Sequence, residues 1–255
     1  MPTSISVSEI RQGLLRGEIR PYFQPQILLE SGSVYGAEVL ARWEHPVFGR
    51  LSPAMFIPQI EKTGLMDELF EIFLLEGCRL QKQLSEKQYN LNLSYNLSPS
   101  QLCSSKFIRS LKKMLKWQEL PPANITFEIV ESSEFTDLVI ALENLREIRQ
   151  LGFNLSLDDL GIGYSSLSRL RDIPFTEIKI DKTFLEKMSH ERKSKPLISL
   201  IIEIGKALDL QVIAEGVESA EQCRELWKAG CRIAQGNWFK EAVPAEIFKH
   251  WLLLE

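Results

Sequence analysis

Five acids, two amides and a lysine stand at the ends of short apolar runs in this 255-residue chain. In order they are Glu38, Asn96, Glu128, the pair Asp158-Asp159, Lys179, Glu215 and Gln235. One charged group closing a strand is ordinary. A series of them on consecutive apolar runs points to convergence at one pole of a barrel. Acids gathered in a small site repel each other and need cations to stay ionised together. The chemistry that suits this set is a divalent-metal site with a positioned lysine. Carboxylates and an amide carbonyl are the hard oxygen ligands that Mg²⁺ and Mn²⁺ prefer. The three histidines, His45, His190 and His250, are scattered outside the set, which argues against a histidine-rich metal hydrolase.

Each residue also has a structural reading. Glu38, Glu128 and Glu215 can be solvated strand ends, Asn96 a turn cap, and Asp158-Asp159 a helix-capping loop. An unpaired lysine in an apolar strand is costly, so Lys179 can be a structural ion pair with Asp181. Arg42 can pair with a nearby acid. Gln24 and Gln235 carry little signal alone.

The elements that must position these groups alternate. Ser6 and Glu9 have capping-box spacing and open a helix. Strands are expected at residues 22–26 and 34–43, separated by the turn Ser31-Gly32-Ser33, and helical spacing runs from Pro53 to about Lys82. Further strands are expected at 91–97, 125–130, 153–157, 176–180, 210–214 and 232–234. Helices are expected from Ser100 to Trp117, around Leu138 to Ile148, and from the Ser219 and Gln222 capping box to Gly230. Eight strands with intervening helices argue for α/β and a closed barrel in one domain over 1–255. Within strands, i and i+2 share a face, which groups Glu38 with Leu40 and Arg42, and Lys179 with Asp181. Val39 and Ala41 point the other way. Asp158 and Asp159 can both reach one site only if their strand ends there, and the glycines at 161 and 163 support a loop.

Composition sets bounds. The chain is 44% hydrophobic and 25% charged, with net charge −4, which leaves no general basic footprint for a DNA or RNA polymer. Four cysteines without a CxxC pair read as reduced thiols. No signal peptide and no membrane span are evident. Together these point to a cytoplasmic protein.

The ordered segments resemble the EAL-domain cyclic-di-GMP phosphodiesterases across roughly residues 20 to 240. They are Tyr22-Phe23-Gln24-Pro25, Gly36 through Trp43, Phe56-Ile57-Pro58, Asn96-Leu97-Ser98 and Glu128 through Ser132. Asp158 through Leu167, Lys179-Ile180-Asp181, Ala214 through Glu218 and Gln235-Gly236 continue the series. The resemblance implies a modified TIM (β/α)8 barrel with an antiparallel first strand. It implies hydrolysis of cyclic di-GMP to linear pGpG with Mg²⁺ or Mn²⁺, two ions per site, in a homodimer. By the same resemblance Glu38, Asn96, Glu128 and Asp158 would hold one metal, and Asp158 with Asp159 a second. Lys179 would position the attacking water and Glu215 would act as base or further metal contact. Gln24, Leu40, Arg42, Asp181 and Gln235 would contact substrate, and Glu131 would anchor the glycine-containing loop.

The chain departs from the family pattern at Val39, Val130, Leu160, Ile162 and Asn237. The changes at 160 and 162 bear on the glycine loop and hence on turnover. Two other readings stay open. One is a non-catalytic receptor or protein-binding module on the same fold. The other is a barrel phosphohydrolase acting on simple phosphomonoesters.

Overall fold

The computed structural model describes residues 5–118, 121–160, 166–188 and 194–254. Strands β1 (Ile19–Leu28) and β2 (Val34–His45) form an antiparallel hairpin, extended by the short β3 (Gly49–Leu51). Six further strands follow: β4 (Asn92–Asn96), β5 (Ile125–Val130), β6 (Asn154–Leu160), β7 (Glu177–Ile180), β8 (Gln211–Ala214) and β9 (Ile233–Gln235). From β2 through β4 to β9 every pairing is parallel, and β1 closes the ring antiparallel to both β2 and β9. The result is an eight-stranded α/β barrel of modified TIM type with its first strand reversed.

Local signals set the helices. Both bonds of the capping box start α1 (Val7–Leu15) at Ser6 and Glu9. The run expected as one helix from Pro53 to Lys82 is three elements: a 3₁₀ turn (Pro53–Met55), α2 (Ile57–Lys62) and α3 (Met66–Ser85). The break falls at Gly64, whose φ of 71° is left-handed and ends a helix at no steric cost. Apolar spacing continues across it, so periodicity alone merges the pieces. The helix expected from Ser100 is likewise two, α4 (Pro99–Leu102) and α5 (Ser105–Gln118), with Ser98 capping the first and Pro99 in its first turn. Then come α6 (Leu138–Gln150), α7 (Ser166–Asp172), α8 (Lys182–Glu186), α9 (Ser194–Ala207), α10 (Ala220–Ala229) and α11 (Ala245–Leu252).

The apolar core lies between strands and helices. Outward positions Val39, Leu93, Phe127, Leu155, Leu157, Ile178 and Ile180 are buried there. Phe70, Tyr95, Phe107, Phe127 and Phe153 pack with ring centroids 4.9–6.5 Å apart. Val39 sits in this layer, as its outward position predicts. Ordinary TIM barrels fill the interior with branched apolar layers. Here the interior positions of β2 and β4–β7 include Glu38, Ser94, Thr126, Glu128, Ser156, Asp158, Glu177 and Lys179, all buried. The four cysteines are free thiols. Among the described residues no helix is long and apolar enough to cross a membrane.

Candidate active site

Lys179 is the centre. Its side chain has no solvent exposure, and its ammonium meets four carboxylates from four parts of the barrel. Glu128 Oε2 lies at 2.9 Å, Glu38 Oε2 at 3.4 Å and Asp158 Oδ1 at 3.5 Å, and Glu215 completes the ring in direct contact. Lys179 therefore pairs with strand-end acids and not with Asp181. Burial alone would push its pKa down. The carboxylates outweigh that and hold it well above the usual lysine value, so the group stays cationic.

The acids respond differently. Glu38 sits below its ordinary value despite burial, because Lys179 and two amides favour its charged form. Asn96 Nδ2 donates to Glu38 Oε1 at 3.1 Å, and Gln235 Nε2 donates to Glu38 Oε2 at 2.6 Å. Among the described residues Glu128 has only Lys179 as a donor to Oε2, and burial pushes it well above the ordinary range. Asp158 is raised for the same reason. Glu215 is pushed to about 8 and Asp159 to about 7, by burial first and then by their acidic neighbours.

Both aspartates reach the site, but not because the strand ends. β6 runs on to Leu160, and its register against β7 shifts between Leu157 and Leu160. Asp159 adopts φ 59°, a left-handed conformation uncommon outside glycine, asparagine and aspartate. The irregularity turns two successive side chains toward one place. Ligand atoms of Asp158, Asp159 and Glu215 lie within 4.8 Å of one another, a group able to hold a metal ion.

Gln24 faces Glu38 across the β1–β2 register, Tyr22 faces Leu40 and Arg20 faces Arg42. Gln24 Oε1 accepts from Gln235 at 3.0 Å, so Gln24, Gln235 and Glu38 form one hydrogen-bonded chain. Among the described residues Arg42 makes no ion pair; Nη1 donates to the Ala41 carbonyl at 2.8 Å. The structural reading of Arg42 as half of an ion pair is thus not what forms. A cavity of about 730 Å³ opens beside the lysine ring. Glu38, Asn96, Asp158 and Asp159 give it a polar lining, and Leu40, Ile57, Pro58, Met66, Phe70 and Phe73 an apolar one.

Asp181 caps α8, accepting from the Thr183 N–H at 2.9 Å, and stands beside Asp159. Glu131 is buried just beyond β5, where its N–H donates to the Asp158 carbonyl at 2.9 Å. That bond ties the ends of β5 and β6 together. The glycine loop it is expected to anchor, with Ile162, lies outside the described residues. Leu160 is buried opposite Ile180 and fills an apolar position.

A family model described as the EAL domain matches residues 7–242. The chain belongs to the EAL domain family. The cyclic di-GMP phosphodiesterase RocR of Pseudomonas aeruginosa is 40% identical over 243 residues, covering 95% of this chain and 62% of RocR. PdeR of Escherichia coli, also named a cyclic di-GMP phosphodiesterase, is 34% identical over 96% of this chain and 37% of its own. The EAL chain thus spans less than two thirds of each of these curated relatives. Among solved structures, the PaMucR phosphodiesterase in complex with c-di-GMP superposes with a TM-score of 0.88 at 34% identity. That match covers 95% of this chain and 98% of the other. An EAL domain protein from Listeria monocytogenes covers both chains fully, with TM-score 0.84 and 29% identity.

Within this EAL domain, several residues have roles that sequence reasoning missed. Asn237 Oδ1 accepts from Gln24 Nε2 at 3.2 Å, with the Lys240 carbonyl close by at 3.3 Å, so the loop after β9 fixes Gln24. Gly236 allows the fit: a Cβ there would meet the Val217 backbone at 2.2 Å. Tyr22 donates to Glu44, which also holds Arg50 at 2.8 Å, bracing the hairpin beyond the barrel rim. The polar residues in the outer strand of a hairpin were the available signal. Their partners are distant in sequence and carry none.

Proposed function

We propose that this EAL domain hydrolyses one phosphodiester of cyclic di-GMP to linear pGpG with Mg²⁺ or Mn²⁺, two ions per site. The observation that supports it most is charge. Four carboxylates, Glu38, Glu128, Asp158 and Glu215, surround one ammonium, and a fifth, Asp159, lies against Asp158 and Glu215. The four uncompensated charges equal those of two divalent cations, and such crowding is unfavourable without them. The donor set fits: it is all oxygen, and among the described residues Glu128 Oε1 is buried without a hydrogen bond. Asn96 turns its N–H onto Glu38, which leaves its carbonyl oxygen for a cation.

Glu38, Asn96, Glu128 and Asp158 would hold one ion, and Asp158 with Asp159 the other. Bound ions of this kind lower the pKa of water and offset charge on the phosphodiester. Lys179 donates a hydrogen bond to the attacking water, its proton secured by the surrounding carboxylates. Glu215, whose carboxylate lies beside those of Asp158 and Asp159, would act as base or as a further metal contact. Arg42 offers a guanidinium fork not committed to any carboxylate, suited to a phosphate. Leu40 and the apolar lining of the cavity offer a wall for a base; Gln24 and Gln235 are hydrogen-bonded in line with Glu38, and Asp181 stands beside Asp159, where they would contact substrate. RocR and PdeR carry this activity in their names, and the PaMucR structure holds the dinucleotide.

The test is to incubate purified protein with cyclic di-GMP and Mg²⁺ or Mn²⁺ and measure pGpG. Product should form with wild type and fall by about 10³-fold in Glu38→Ala, which removes a carboxylate that would hold a metal ion. No product with either metal overturns the reading. Binding without hydrolysis would identify a receptor, and cleavage of phosphomonoesters alone a different hydrolase.

A further inference from the structure

The helix α5 has a charge pattern unlike the rest of the chain. It holds Lys106, Arg109, Lys112, Lys113 and Lys116 and no acid. The whole chain has net charge −4, so without these five cations the remainder carries −9. Side chains three and four residues apart lie on one face of a helix, with Cβ atoms about 5–6 Å apart. Lys106, Arg109, Lys113 and Lys116 follow that spacing and form one row, about 15 Å long at the rise of an α-helix. All four are exposed. Lys112 stands off the row and pairs with Glu147 of α6. Arg109 donates to the Ser105 hydroxyl at 3.1 Å, within its own helix. Among the described residues no carboxylate forms an ion pair with the four cations of the row.

The other face of α5 is already committed. Phe107, Ile108, Leu111 and Met114 are buried in the apolar core, and Leu115 packs partly buried against it. The helix connects the parallel neighbours β4 and β5, so it runs back along the outside of the barrel. Its row therefore follows the barrel wall, and none of its residues lines the cavity beside Lys179.

Three kinds of anionic partner could meet such a row, and they ask for different surroundings. A protein partner needs a desolvated centre of aromatic, aliphatic or arginine side chains, and lysine is depleted there. Three of these four cations are lysines, with no described apolar residue exposed among them. A single-stranded nucleic acid takes a basic groove with aromatic platforms, and a straight row on a convex helix offers no groove. An anionic bilayer needs only cations brought close to its plane. A helix on the barrel wall brings all four there at once, while the net negative charge of the remainder turns the other faces away.

We propose that α5 is a peripheral membrane-docking surface, on which Lys106, Arg109, Lys113 and Lys116 hold the domain against a bilayer of anionic headgroups. Nothing inserts into the bilayer, and the mouth of the barrel stays open to solvent. The inference is independent of the reading of the active site.

The test is sedimentation of the full chain with vesicles of phosphatidylcholine alone, and of equal parts phosphatidylcholine and phosphatidylserine. The protein should pellet with the anionic vesicles and stay in solution with the neutral ones. Each cation near an anionic leaflet raises partitioning by a factor of about five. A triple variant carrying Lys106→Gln, Lys113→Gln and Lys116→Gln should therefore bind the anionic vesicles about a hundredfold more weakly. Arginine at the same three positions keeps the charge and should bind within about threefold of wild type. A control with the same charge change on α2, α9 and α10, Lys62→Gln with Lys206→Gln and Lys228→Gln, should bind as wild type does. Salt of about 1 M, where the Debye length is about 3 Å, should release the wild-type protein. The melting temperature of the triple variant should match wild type, since only exposed side chains change. Equal binding to neutral vesicles, undiminished binding by the glutamine variant, or an equal loss in the control would overturn the proposal. So would capture of RNA by the wild type, lost in the triple variant, without any binding to vesicles; the row would then be a nucleic-acid surface.

Discussion

Inside the barrel, β2, β5, β6 and β7 present Glu38, Glu128, Asp158 and Lys179; one residue along, the same strands turn Val39, Phe127, Leu157 and Ile178 outward under the helices. Both faces are buried, and they contribute opposite things. Each large apolar side chain on the outer face stabilises the fold by about 1.5–3 kcal/mol. The inner face gathers like charges and unpaired polar atoms, each of which costs stability. The fold tolerates its interior because the outer layer is continuous around most of the ring. Stability and chemistry are thus divided between two sides of one sheet, and substitutions should separate them.

The sharpest break is at Lys179. Lys179→Met removes the one cation in the ring and should lower turnover by about 10³-fold. It should also cost about 3–5 kcal/mol in chelator, since four carboxylates lose their partner. Added Mn²⁺ should recover part of the melting temperature; a variant as stable as wild type in chelator would show that the ring is not buried as described.

On the outer face, Phe127→Ala should cost about 3–5 kcal/mol in denaturant unfolding. Its kcat at a permissive temperature should stay within a few-fold of wild type. A large loss of kcat with little loss of stability would erase the distinction between the faces.

A third difference is in pH dependence. Glu215 at about 8, Asp159 at about 7 and Glu177 at about 7 all lie above their ordinary values of 4.5, 3.8 and 4.5. Such groups stabilise the folded state fully below the ordinary value and lose that contribution as pH rises through the folded value. Glu38 has the opposite sign, but its window lies below about pH 4.5. Metal-free protein should therefore melt at progressively lower temperature from about pH 5 to pH 8. A divalent ion should flatten the profile. A metal-free melting temperature that rises over that range would contradict the crowded interior.

The smallest effect is expected at the rim. Asn237→Ala removes one of the hydrogen bonds that hold Gln24, about 1 kcal/mol. KM for cyclic di-GMP should rise about fivefold with kcat nearly unchanged. An effect on kcat instead would place Gln24 in the reaction and not in binding.

Alternation and strand-end position in the sequence alone put Glu38, Glu128, Lys179 and Glu215 at one pole of a barrel, because side-chain direction in a strand has a period of two. Gly230 and the capping boxes at Ser6 and Ser219 marked helix ends by purely local chemistry. Helix breaks at Gly64 and Cys103 were not legible, since apolar spacing ran through both. Nor was the route by which Asp158 and Asp159 both reach the site, which depends on a register shift against β7 and a left-handed residue.

What the chain by itself determined is the alternation of strands and helices and the residue types available at one pole. Tertiary structure alone decided which acids surround Lys179, that Gln235 and Asn96 grip Glu38, and that Asn237 holds Gln24. It also aligned Glu128, Ser156 and Glu177 in register. The physical reason is closure: bringing β1 against β9 joins residues more than 200 positions apart, and no local pattern encodes the partner across that distance.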